Sequence, residues 1–101
     1  MKSIAREKEI KRLLRELVPM VPMEDFLAIE ETAKSGHLRH LPPSIAAWQA
    51  TTSRVRHAHT EYDEMMDEGY DKDAALHFVL EEMNEKLSQW GCSRQISSEE
   101  I

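Results

Sequence analysis

The sequence predicts an all-α fold: a small four-helix domain whose long third helix forms an antiparallel hairpin with the fourth. Three observations carry this expectation. Apolar residues recur at three- and four-residue spacing in successive segments. No segment shows the period-two alternation of a half-buried strand. Proline and glycine fall at the ends of those segments and not inside them. With 101 residues, 41% of them hydrophobic and 32% charged, the chain has the composition of one soluble domain with a modest core. That domain is expected over residues 1–91, followed by a polar, disordered tail at 92–101.

The first helix is expected from Ser3, a capping residue, to Val18, with Ile10, Leu13, Leu14 and Leu17 as its apolar stripe. Pro19 stops it, because proline has no amide donor and clashes with the preceding turn. Pro22 suits the first position of the second helix, and Glu24 and Asp25 then meet the positive end of its dipole. Phe26, Ile29 and Ala33 form its buried face and Gly36 its stop. A cationic loop, His37 to Pro43, leads into a third helix expected over 44–68. Its continuous face is Ile45, Trp48, Thr52, Val55, His59, Tyr62 and Met66. Gly69 ends that helix. Asp71 caps the fourth, whose stripe is Leu76, Val79, Leu80, Met83, Leu87 and Trp90, and Gly91 closes it.

The net charge of −6 conceals a segregation. Residues 1–15 carry six basic and two acidic groups, and residues 16–31 carry five acids and no Lys or Arg. Residues 32–60 hold Lys34, Arg39, Arg54 and Arg56 with no acid, and residues 61–101 hold twelve acids against three bases. Overall acidity argues against bulk nucleic-acid binding, while the acid-free stretch offers a local basic surface. The simplest reading is that basic and acidic segments pair within the fold. No apolar run approaches the ~20 residues of a membrane span. No secretory signal precedes the first helix, and Cys92 is the single cysteine, so a cytoplasmic location is expected.

The densest group of functional side chains is RHAHTEYD, residues 56–63. On a continuous helix Arg56, His59, Thr60 and Asp63 fall on one side, and the natural pairs, four apart, are His57 with Glu61 and His59 with Asp63. Such pairs can simply stabilise a helix, with Tyr62 in the core. Alternatively, Arg56 supplies the planar fork of donors that suits phosphate. Arg54, Arg39, His37, His40, His57 and His59 can add charge, and Trp48 or Tyr62 can stack on a base where exposed. A metal site on His59 and Asp63 has helical spacing but lacks the third ligand zinc requires. Catalysis lacks an oxyanion-binding turn and a deep pocket.

The segment RHAHTEYDEMMDEG, followed by a helix ending in Leu87 and Trp90, resembles an uncharacterised conserved family. The shared pattern is Arg-His-x-x-Thr-x-Tyr-Asp, two apolar residues, a glycine and a late tryptophan. It falls here on Arg56, His57, Thr60, Tyr62, Asp63, Met65, Met66, Gly69 and Trp90, within roughly residues 40–91 and after a Leu41-Pro42-Pro43 lead-in. Two methionines stand where leucines are usual, and His59 lies outside the pattern. The resemblance implies a shared fold and site, with no activity attached. The resulting expectation is a non-catalytic binding module, with no cofactor and no metal. It would contact nucleic acid or another anionic ligand through residues 37–63. The contacting residues would be Arg56, His57, Thr60, Asp63, Tyr62, Arg54, Arg39 and His40. The alternative is a protein-interaction module using the cationic first helix or exposed methionines.

Overall fold

The computed structural model describes residues 3–100, without the side chain of Ser3, so the cap assigned to Ser3 lies outside the described atoms. The order of elements is α1 (Ser3–Leu17), α2 (Met23–Ala33), a 3-10 turn (Gly36–His40), α3 (Pro43–His59), α4 (Tyr62–Asp67), α5 (Lys72–Gln89) and a second 3-10 turn (Ser98–Glu100). The fold is all-α, with no strand among the described residues. No helix among them is long and apolar enough to cross a membrane.

The central element is α3, which packs on α1, α2 and α5. Its buried face is Ala46, Ala47, Ala50, Thr51 and Val55. This corrects the expected stripe, since Ile45 is 43% exposed while the alanines beside it are almost fully covered. Small side chains let neighbouring helices approach closely, because interaxial distance follows the residues at the contact. Those neighbours supply the bulk: Ile10, Leu14 and Val18 from α1 and its end, Phe26 and Ile29 from α2, and Val79, Met83 and Leu87 from α5. Thr51 hides its hydroxyl in the core by donating to the Ala47 carbonyl at 2.7 Å. The N-terminal helix is pinned by Arg6, which donates to the carbonyls of Leu41 at 2.6 Å and Leu38 at 2.8 Å.

The expected third helix over 44–68 is interrupted. Thr60 adopts extended backbone (φ −137°, ψ 174°) and separates α3 from α4. The threonine hydroxyl donates to the Arg56 carbonyl and accepts the Tyr62 amide at 3.1 Å, so it closes one helix and opens the next. The break also shifts the register: Met65 is 7% exposed and Met66 36%, the reverse of the expected stripe.

Both short-range stops at glycine take one form. The amide of Gly69 bonds to the Met66 carbonyl and that of Tyr70 to Met65; Gly91 repeats this with Ser88, and Cys92 with Leu87. This double bond pattern needs a left-handed residue, and Gly69 (φ +93°) and Gly91 (φ +83°) supply it. At Gly91 the chain also meets the α1–α2 turn. The Met20 amide donates to the Trp90 carbonyl at 2.9 Å, and a Cβ at Gly91 would lie 3.0 Å from Pro19 Cγ.

Residues 92–100 lie against the helical body, where a disordered tail was expected. Cys92 and Ile96 are buried. The Asn84 side chain accepts the Ile96 amide at 2.7 Å and donates to the Ile96 carbonyl at 3.0 Å. The Arg94 guanidinium sits 3.9 Å above the Trp48 ring. Polar composition misleads here because one isoleucine and one stacked arginine suffice to seat a segment whose backbone is already bonded.

Candidate functional site

The acid-free stretch does not present its cations to solvent as one surface. Asp25, 6% exposed in α2, reaches the C-terminal half of α3 and accepts from Arg54 Nε at 2.7 Å and His59 Nε2 at 2.9 Å. Burial by itself would push the Asp25 carboxyl up. The hydrogen bonds from His59 and Arg54, together with their charges, outweigh it and hold the group below the usual carboxylate range. The His59 ring also stands edge-on to buried Trp90, with centroids 5.5 Å apart. Arg54, an expected ligand contact, is therefore a tie between α2 and α3. His59 pairs with Asp25 and not with Asp63, because the break at Thr60 ends the helical register that would align them.

Asp63 pairs instead with His57, whose Nδ1 donates to Oδ1 at 2.6 Å. The expected His57–Glu61 and His59–Asp63 pairs are thus both replaced. A carboxylate only accepts, so the proton of that hydrogen bond sits on the imidazole. Tyr62 is buried, as expected for an anchor, and holds two members of the motif. His57 stands edge-on to it with centroids 5.6 Å apart, and the Arg56 guanidinium lies 5.4 Å from its centroid. Thr60 shapes the backbone beneath both. The structure therefore brings Arg56, His57, Thr60, Tyr62 and Asp63 together. No three His, Cys, Asp or Glu side chains gather into a metal-holding group among the described residues.

Arg56 differs from its neighbours. It has no carboxylate partner among the described residues, and its Nε is buried with no hydrogen-bond partner. It lines a cleft of about 820 Å³ between the first 3-10 turn, α3, α5 and the C-terminal segment. His37, Lys72 and Arg94 share that cleft with the apolar Trp48, Leu76 and Met83. Glu100 is the only carboxylate lining it among the described residues. Arg39 and His40 are exposed outside the cleft, and Arg39 donates to its own turn at Gly36.

Asp25, Lys72 and Arg94 escaped the sequence reading. Asp25 had a signal: it precedes Phe26 and lies four residues before Ile29, which places it at the edge of the buried stripe. Nothing local marks Lys72 or Arg94, which reach the cleft only through the path of the chain.

A sequence profile of a family described as uncharacterized conserved protein (DUF2293) matches residues 13–91, and the chain belongs to that family. The match takes in the whole RHAHTEYD cluster and the Asp25 tie, and ends at Gly91. No curated protein and no solved structure matches the chain.

Proposed function

We propose that this DUF2293 member is a non-catalytic binding module that holds a phosphate-bearing ligand in the cleft beside Arg56, with single-stranded nucleic acid as the ligand class. The observation that carries this reading is Arg56 itself. It is a guanidinium braced on Tyr62, with an unpaired buried Nε, on the wall of a cleft that also gathers Lys72 and His37. No carboxylate pairs with this guanidinium among the described residues, and its fork matches phosphate geometry. Arg54, His57 and His59 already have carboxylate partners, so the anion-contacting role narrows from residues 37–63 to Arg56 with Lys72 and His37. His57, Thr60, Tyr62 and Asp63 act as its scaffold. The lone free thiol of Cys92 suits a reducing compartment such as the cytoplasm.

The test is a titration of the labelled protein with short mixed-sequence single-stranded RNA and DNA at low salt, followed by amide shifts. Salt-reversible shifts are expected at His37, Arg56 and Lys72. Arg56→Ala should weaken binding about tenfold, the loss of one charge-assisted phosphate contact, while Arg39→Ala outside the cleft should change it less than about twofold. Equal affinity for Arg56→Ala and the native chain overturns the reading. A protein-interaction role draws on a different surface, where Met23 and Leu27 stand exposed four residues apart on α2. Its signature is binding that barely responds to salt.

A further inference from the structure

One wall of the cleft is built by the chain's own C-terminal segment. Residues 92–100 run along the face formed by α3 and α5, and three contacts seat them. Asn84 grips both backbone groups of Ile96, at 2.7 Å and 3.0 Å. The Ile96 side chain lines the cleft with Met83 and is 8% exposed. Arg94 covers the Trp48 ring at 3.9 Å. The segment then turns so that Glu100 accepts from Arg94 at 3.3 Å and from the Ser97 amide at 3.1 Å. It thereby brings the cleft its one carboxylate among the described residues, and it lays a planar cation on the aromatic ring of the cleft wall.

We propose that residues 93–100 are an intramolecular competitor, a strap that covers the Trp48 face of the cleft until a nucleotide-bearing strand displaces it. This rests on the phosphate-binding reading above. The chemistry of the exchange is matched. Trp48 gives up a stacked guanidinium and receives a stacked base, and the cleft gives up a carboxylate and receives a phosphate. The strap withdraws one cation, Arg94, and one anion, Glu100, so the charge left around Arg56 and Lys72 is unchanged. What opens is space and an aromatic face. The hold is also of the right kind for release. Its polar grip on the helical body is two hydrogen bonds from the single side chain of Asn84. Gly91 is left-handed at the base of the strap, and the Cys92 amide on the Leu87 carbonyl and the Met20 amide on the Trp90 carbonyl hold that base, so residues 93–100 can leave without disturbing the end of α5.

The experiment compares the full chain with Asn84→Ala and Ile96→Ser, each of which removes one anchor without adding charge. The amides of Ile96 and Ser97 and the Trp48 indole resonance report whether the strap has left. Affinity for a short single-stranded oligonucleotide at low salt is measured in parallel. Release is expected in both variants, with affinity rising about threefold to tenfold as the fraction of open clefts rises. Circular dichroism checks that the helices persist. Arg94→Ala, a change confined to the strap, provides a third variant for which loss of the fold is not at issue. Release with unchanged or weaker affinity overturns the strap as competitor and leaves the phosphate reading standing. A strap that stays seated in all three variants overturns the assigned anchors. Failure of the native chain and all variants to bind the oligonucleotide overturns the strap and the phosphate reading together.

Discussion

At the scale of single residues, Asp25 shows how one carboxylate can reassign a basic segment. By accepting from Arg54 and His59 at once it removes both from the pool of free cations and ties α2 to α3. Asp25→Asn removes the charge that two buried-edge donors face, and breaking such a pair should cost about 2–4 kcal/mol, measured by urea unfolding at neutral pH. The pH dependence follows from the depressed Asp25 carboxyl. A group whose folded value lies below its unfolded value of about 3.8 contributes stability that is present above that value and is lost as pH falls through the folded one. The native chain should therefore lose stability more steeply than Asp25→Asn below about pH 4, and parallel acid-limb curves would exclude the tie. Asp25 was read from sequence only as a partner for the helix dipole, because a first-turn acid satisfies that role wherever its side chain later points.

At the scale of elements, helix ends were legible and the helix break was not. Pro19, Asp71, Gly69 and Gly91 act through local chemistry that survives any tertiary context, and each sits at the terminus expected of it. Thr60 is different. The apolar spacing runs through it from Val55 to Tyr62, so periodicity reports one helix where a threonine hydroxyl, bonded to Arg56 and Tyr62, makes two. The buried face of α3 was hidden for another reason: hydrophobic patterning weights large residues, and here Ala46, Ala47 and Ala50 form the contact. Thr60→Ala should cost about 1 kcal/mol, the usual value of a lost helix-capping hydroxyl, with the loss centred on the amides of α4 in hydrogen exchange. A protection pattern unchanged in α4 would show that the break is held by packing and not by the hydroxyl.

For the whole molecule, the charge segregation of the sequence becomes internal pairing plus one cationic cleft. The acids of residues 16–31 are consumed in part by ties such as Asp25 with Arg54 and Glu30 with Lys11. The twelve acids after residue 60 disfavour a broad polyanion contact on that part of the chain. Binding of a single strand should therefore involve few phosphates. With about two contacts, from Arg56 and Lys72, the logarithm of affinity should fall against the logarithm of salt with a slope near −1.4. A slope several times steeper would place the strand on a broader surface than the cleft. The acid-free stretch marked a concentration of cations, but the cleft that Arg56 lines was not legible, since Lys72 and the C-terminal segment join it only through chain topology.

The bond from the Met20 amide to the Trp90 carbonyl has a dynamic meaning. Met20 is 70% exposed in a turn between helices, a setting where an amide ordinarily exchanges with solvent in the first moments. Its carbonyl partner is far along the chain, so this hydrogen bond closes a loop that contains α2, α3, α4 and α5. Closing so long a loop is entropically costly, so this contact forms late in folding. Protection of the Met20 amide is then a single-site gauge, read at a surface residue, of whether the α1–α2 turn stays docked on the end of α5.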